Sequence, residues 1–530
     1  MANQMFLSPL PLGTSDFAVL RLRQQIYVDK TDLVYKLASK PQKFFLARPR
    51  RFGKSLLIST FESLFKYGLR DFEGLDIQNK WQDRTYDVIR LDFSEAKNFS
   101  DIETFRTKFS NVLIRAFRFS GFEFNPQIRD TVIDQISDWL KQQPNNSLVL
   151  LIDEYDAPLT ACLSIPELFE AVRTELSDFY ATVKSNDGAW RFVFMTGITK
   201  FSKTSIFSEL NNLSDVSLDP DYGTLLGYSE SEIRQYFDGY LEQASLVLNL
   251  TKEDLLLKLK EEYDGYCFDE KASKHVFTPW SVLNFLNAPS RGFRNYWIES
   301  AGQPKVLLEY IKSHELRNPT TYGEIKSVSH SQLSGSLSIE TVDEYALLAQ
   351  AGYLSIKKVV DDTLFLGFPN HEVAQSMANL YTDSLLNGKT LVQVGVDRMS
   401  HRMAKETPEA IYQIFNQLFL SIDYRYYEKI REKDIQTMLQ VFLVGAGLFP
   451  KVETHNAHGR TDLEVQTGNR LWVFEFKIQR LGESAETKLQ EALEQIQTRQ
   501  YGKQYSSVEV IRMALVFSED KRCFIKWKVV

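Results

Sequence analysis

The stretch from Lys43 to Phe65, KFFLARPRRFGKSLLISTFESLF, constrains this chain more than any other. Phe44-Phe45-Leu46-Ala47 is a short apolar run of the kind a buried parallel strand shows. Leu56, Leu57, Thr60, Phe61, Leu64 and Phe65 then recur at helical spacing and give one apolar face. Between them stands Arg48-Pro49-Arg50-Arg51-Phe52-Gly53-Lys54-Ser55, whose end matches the G-K-[ST] of a phosphate-binding loop. Backbone N–H groups at a helix N-terminus point at an anion. Lys54 can reach the outer phosphates, and the Ser55 hydroxyl can join a magnesium shell. The pattern's first glycine is Arg48 here, which is expected to weaken the tight turn of backbone around a phosphate.

A second stretch, Leu148 to Asp156 (LVLLIDEYD), supplies the partner this loop needs. Five consecutive apolar residues predict a fully buried strand ending in Asp153-Glu154. In an open parallel sheet, ligands bind beyond the carboxyl ends of the strands, where both segments deliver their polar groups. Asp153 is then placed to hold magnesium, directly or through water, and Glu154 to orient or deprotonate an attacking water. Arg191–Met195 (RFVFM) predicts a third strand, ending in Thr196-Gly197, where a residue sensing a γ-phosphate belongs. The candidate nucleotide set is therefore Arg51, Gly53, Lys54, Ser55, Asp153, Glu154 and Thr196.

With 530 residues the chain is too long for one core, and about two to four domains are expected. Hydrophobic content of 43% and charged content of 25% are ordinary for a soluble globular protein. No run approaches the roughly 18 apolar residues of a membrane span, and MANQMFLSPLPLG lacks the pattern of a secretory signal. Cys162, Cys267 and Cys523 show no metal-type spacing and read as reduced thiols of a cytoplasmic protein. A net charge of −7 means that any nucleic-acid contact rests on local basic patches.

In chain order, Ile26–Ser39 predicts a short strand and then a helix capped near Asp29–Asp32. Tyr86–Phe93 predicts another strand, helices fill roughly 100–143, and Leu213–Asp219 is one more candidate strand. This alternation implies a doubly wound parallel sheet. ARPRRFGKSLL, LLIDEYDAPL, FMTGITKFSKTSIFSELNNL and YDGYCF followed by FTPWSVLNFL resemble the bacterial AAA-ATPase-like family, over about residues 8 to 300 and again near the end. That family tends to lack the first loop glycine. The resemblance implies a nucleotide-binding P-loop fold, with ATP as the nucleotide and Lys54, Ser55, Asp153 and Glu154 at the matching positions. It also implies a PD-(D/E)XK-type nuclease domain at the C-terminus. Lys200 and Lys203 fall in the family's motif after the third strand and read as surface lysines.

The fold class expected is α/β multidomain. A P-loop NTPase-like parallel sheet fills residues 1–227, a helical lid 228–300, and a winged-helix-like linker 301–400. A restriction-endonuclease-like α/β domain fills 401–530. The winged module rests on a helix ending at Gly352 and two β-rich runs, Tyr353–Val359 and Thr363–Phe368, around an Asp361-Asp362 turn. Such a module can contact DNA, another protein, or its own neighbours.

The last hundred residues or so hold a second constellation. Gly459–Val465 alternates polar and apolar, Thr467–Arg470 is a turn, and Leu471–Ile478 (LWVFEFKI) is a strand. Side chains alternate along a strand, so Trp472, Phe474, Phe476 and Ile478 share one face, and Glu475 and Lys477 the other. A carboxylate and a lysine inside an apolar strand need a reason, since burying them unpaired is costly. The spacing D-x(12)-E-x-K resembles the PD-(D/E)XK core, without its proline before the aspartate. On that resemblance Asp462 and Glu475 bind Mg²⁺, which takes few protein ligands, and Lys477 positions or activates water. In the upstream helix Ile435, Met438, Leu439 and Phe442 form the apolar stripe; Glu432 lies on that side and Asp434 off it. Glu432 therefore points at the hairpin, where the superfamily often carries another glutamate. Downstream, Lys488–Tyr501 is helical, and Gln495 or Gln497 with Tyr501 resembles the superfamily's Q…Y element. His455 and His458, just before Asp462, could contact phosphate, but loop histidines are usually neither ligand nor catalyst.

The expectation is a nucleotide-regulated, Mg²⁺-dependent nuclease, a hydrolase acting on DNA foremost, with no membrane partner and with homo-oligomers admitted. Two other classes fit the same residues: a nucleotide-dependent scaffold binding nucleic acid through an inactive nuclease fold, and a plain ATPase.

Overall fold

Strands that read as uninterrupted apolar runs need cover on both faces, and the first sheet has it. In the computed structural model, β1 (Lys43–Ala47), β2 (Asp87–Asp92), β3 (Leu148–Asp153), β4 (Trp190–Gly197) and β5 (Leu213–Asp215) form one parallel sheet. Its order is β2-β3-β4-β1-β5. The structure describes residues 7–198, 200, 210, 212–297, 322–334, 343–427, 430–453, 455–456, 459–498 and 508–530. One face packs Phe45, Ile89 and Ile152 against Phe105, Phe109 and Phe179 from the helices Ile102–Arg118 and Pro166–Ser185. On the other, Phe61 and Phe65 of the helix Lys54–Tyr67 pack on Phe192 and Phe194 at ring separations of 4.7–5.1 Å.

Two expected elements differ. Ile26–Val28 forms no strand; Val28 is buried in the core of the lid helices, with Ile26 packed against that core. The helix beyond runs Thr31–Ala38, where the Thr31 N–H and hydroxyl both donate to Asp29. β5 stops at Asp215 because the chain turns there: the Ser217 N–H donates to Asp215 and the Ser217 Oγ accepts from Ala47 N–H.

The chain divides into two compact units, residues 1–314 with 325–372, and 315–324 with 373–530. In the first, the helices Glu230–Tyr236, Asp238–Leu248, Lys252–Tyr263 and Pro279–Asn287 make the lid. Behind it, β6 (Lys326–Ser329), β7 (Ser355–Val360) and β8 (Thr363–Gly367) form a small antiparallel sheet of order β6-β8-β7. The helices His330–Ser334 and Glu344–Gln350 precede its hairpin, whose turn has Asp361 in the left-handed region.

In the second unit β9 (Lys451–Val452), β12 (Leu463–Thr467), β13 (Arg470–Gln479), β14 (Glu509–Ser518) and β15 (Cys523–Val529) form a mixed sheet of order β15-β14-β13-β12-β9. A separate ladder joins β10 (His455–Asn456) to β11 (Gly459–Arg460). β13 and β14 run parallel, and the helix Ala485–Thr498 between them covers Leu471, Val473, Ala514 and Val516. The opposite face of β13 buries Trp472 and Phe474 against the helices Met399–Lys405 and Pro408–Ser421, with the indole N–H donating to Met403 O at 2.9 Å. Among the described residues no helix is long and apolar enough to cross a membrane, and the three cysteines are free thiols.

Candidate functional site

Parallel strands end together, so the ends of β1, β3 and β4 bring three distant segments to one edge of the sheet. The loop after β1 is held in an unusual backbone path, with Arg51 at φ 69° and Gly53 at φ 97°, both in the region that costs an ordinary side chain free energy. The Lys54 amine, almost wholly buried, turns back on this loop and donates to Arg48 O at 2.9 Å and Pro49 O at 3.0 Å. Burial lowers its pKa, opposed by Asp153, Asp156 and Glu154. Those acids are the electrostatic partners that keep a buried ammonium tolerable.

At the end of β3, Asp153 Oδ1 accepts from the Thr196 hydroxyl at 2.7 Å and from Glu154 N–H at 3.0 Å. Thr196 is fully buried. Glu154 follows with φ 49°, a strained position for glutamate, and lines the neighbouring cleft. Burial raises its pKa, with Lys54 pulling the other way. The cleft holds about 620 Å³, within the range of nucleotide-sized sites. Lys54, Ser55 and Arg50 line one wall; Ile26, Leu226 and Trp280 contribute apolar surface. The Arg51 guanidinium stacks on Trp280 at 4.3 Å, so the lid packs on the loop. Here the donor set fits a nucleotide and its ion: an apolar wall, a lysine, a hydroxyl and two adjacent acids.

Arg48 does not obstruct the loop. Its guanidinium faces away and donates to Ala47 O, Ser217 O and Tyr222 O at 2.9, 2.6 and 3.3 Å, with Phe268 beneath it at 4.3 Å. Sequence reasoning also missed Asp156, buried and accepting from Ile198 N–H at 3.1 Å. Lys200, expected at the surface, is buried and paired to Asp215 at 2.5 Å. Lys203 lies outside the described residues.

In the second unit the hairpin of β12 and β13 carries the other set. The ladder ends where Leu463 pairs with Phe474, and Asp462, one residue earlier, reaches β13 with its side chain. Asp462 Oδ2 accepts from Phe476 N–H at 2.9 Å. Glu475 is fully buried, and Lys477, 14% exposed, sets its amine 3.5 Å from Glu475 and 3.5 Å from Glu432. Glu432 opens the helix Glu432–Gly445 and also accepts from Ile478 N–H at 3.4 Å, so that helix aims at the hairpin. Asp434 instead accepts from Arg431, through its N–H at 2.8 Å and its guanidinium at 3.0 Å.

Gln436, one turn beyond Glu432, donates to Asp462 O; its i+4 spacing from Glu432 was the available signal. Glu464 is buried on the same face and accepts from Thr461 Oγ1 at 3.1 Å, with its pKa raised by burial. Gln495 is half-buried and Gln497 exposed. Tyr501, His458 and the His455 side chain lie outside the described residues. Among the described residues no three His, Cys, Asp or Glu side chains gather as a ready cation cage. Mg²⁺ can be held by as few as two carboxylates while keeping several waters.

Fold and sites define a two-part α/β protein, a P-loop unit followed by a restriction-endonuclease-like unit. Residues 11–207 match the model of the family described as Predicted AAA-ATPase, and residues 430–527 that of the PD-(D/E)XK nuclease superfamily. The chain is 27% identical over 532 residues to the "Uncharacterized protein in vnfD 5'region" of Azotobacter chroococcum mcd 1, covering 98% of each. Among solved structures, the Aeropyrum pernix ORC2 protein (ADPNP-ADP complexes) aligns at 13% identity and a TM-score of 0.22, over 70% of this chain and 95% of its own. CDC6P from Pyrobaculum aerophilum aligns at 10% identity and a TM-score of 0.25, over 66% and 91%.

Proposed function

We propose that this chain is a Mg²⁺-dependent nuclease, acting foremost on DNA, whose P-loop unit binds ATP and governs cleavage by the hairpin of the second unit. The observation that carries this is the Asp462 carboxylate accepting from Phe476 N–H, next along β13 from Glu475, with the Lys477 amine 3.5 Å from both Glu475 and Glu432. Asp462 and Glu475 would hold the ion. A Mg²⁺ ion bound there lowers the pKa of its water and neutralises charge on a scissile phosphodiester. Lys477 orients the attacking water and offers its charge to the phosphate; Glu432 holds the lysine in that position. Gln495 or Gln497 would support the site or contact nucleic acid. The first unit offers Lys54 and Ser55 to the phosphates and Asp153 and Glu154 to the ion and the water. Three free thiols suit the cytoplasm.

The test is cleavage of single- and double-stranded DNA and RNA by the full chain with Mg²⁺ or Mn²⁺, with and without ATP. Glu475→Ala and Lys477→Ala should each lower cleavage about a thousandfold. A wild-type chain that cuts no substrate would sink the reading. Nucleic-acid binding unaffected by Glu475→Ala, without cleavage, would select the scaffold instead.

A further inference from the structure

A helix followed by a hairpin offers, in winged-helix proteins, a helix to the DNA major groove. Here that helix, Glu344–Gln350, is already engaged within its own unit. Ala346, Leu347 and Leu348 are buried, and Leu347 belongs to the same apolar core as β3 and β4. Gln350 ends the helix by bridging two segments: its Oε1 accepts from Lys200 N–H at 2.9 Å, and its Nε2 donates to Leu333 O at 3.2 Å. Lys200 follows β4, the strand whose Thr196 bonds Asp153.

Two residues on, the module meets the phosphate loop itself. Gly352 sits at φ +89°, and a Cβ there would fall 2.7 and 2.8 Å from Pro49 Cβ and Cγ. Only glycine allows this approach of backbone to loop. The Gly352 carbonyl accepts from the Tyr266 hydroxyl at 2.9 Å, and Ser355 Oγ accepts from Cys267 N–H at 2.7 Å. Tyr266 and Phe268 in turn enclose Phe52 of the loop edge-on, at 4.8 and 5.1 Å. The module therefore grips both arms of the nucleotide site: the loop at Pro49, and the chain leaving β4 at Lys200.

We propose that this module is a positioning element for the nucleotide site rather than a DNA reader, with Gln350 and Gly352 coupling loop and β4 to the chain that continues into the second unit. The proposal rests on the reading of the first unit as a nucleotide binder. Loop and β4 must stand in register for phosphates and acids to meet, and displacements of about 1 Å at such sites cost orders of magnitude. Beyond β8 the chain runs from Gly367 to Val373, where the second unit resumes.

Hydrogen exchange of the full chain, with and without MgATP, tests this beside calorimetric MgATP titration. MgATP should slow amide exchange at 350–356 as well as at 50–55. Gln350→Leu, which lacks the acceptor, should abolish the effect at 350–356 and weaken MgATP about tenfold, consistent with a displaced loop. Gln350→Glu, which keeps the acceptor, should retain both. Protection confined to 50–55 in the wild type, a Gln350→Leu chain indistinguishable from it, or protection of 344–350 by duplex DNA would each overturn the proposal alone. A wild-type chain that binds no MgATP overturns the nucleotide reading, and this with it.

Discussion

Arg48 shows how far a single residue departs from what its motif suggests. It stands where the pattern has glycine, yet it carries no burden of the loop's turn. It ties the end of β1 to three carbonyls and to Phe268, and burial pushes its pKa down to about 9. Arg48→Gly, which restores the pattern, should therefore destabilise the chain by about 3 kcal/mol, since buried carbonyls lose their donors; urea unfolding measures it. Glu372 makes the matching case for pH. It accepts from the Ser281 hydroxyl and Trp297 N–H at 2.8 Å each, and burial lifts its carboxyl to about 8. Its folded pKa lies above the unfolded value, so the folded state binds the proton more tightly. That contribution is complete below about pH 4.5 and is lost as pH rises to about 8, at about 1.4 kcal/mol per pH unit. Glu372→Gln should flatten that decline in urea midpoints read across the same window. The difference between the two chains isolates Glu372 from Glu154, Asp264 and Glu464, whose pKa values burial also raises.

At the scale of elements, the phosphate loop is held from outside as much as by its own sequence. Phe52 is buried between Tyr266 and Phe268, which gives the YDGYCF stretch a structural task. Phe52→Ala should cost about 3–4 kcal/mol of stability and weaken MgATP more than Lys54-independent surface changes do, as calorimetry would record. β1, β3, β4 and β13 were legible because burial on one or both faces leaves a period that short windows register. Ile26–Val28 was not, because an apolar run reports burial alone. Val28 is buried and Ile26 half-buried by side-chain packing among the lid helices, with one backbone bond from Ile26 N–H to Pro9 O in place of a ladder.

For the whole molecule, the coupling of two chemistries is the property to measure. Lys54→Ala should abolish MgATP binding while leaving the cleavage seen without ATP unchanged; loss of that basal cleavage would mean Lys54 matters to the fold instead. The strand–loop–helix around Lys54 and the acid–lysine alternation of β13 could be read from the chain by itself, because each is set by neighbours within a few residues. The hairpin of β12 and β13 is another short-range relation. What folding alone decided is where Arg48, Lys200 and Gln350 find their partners, at Ser217, Asp215 and the Lys200 amide. Periodicity marks which face of an element is apolar. Only the folded backbone determines which distant polar group meets a buried charge, since that pairing depends on strand order and on helices packed from far along the chain.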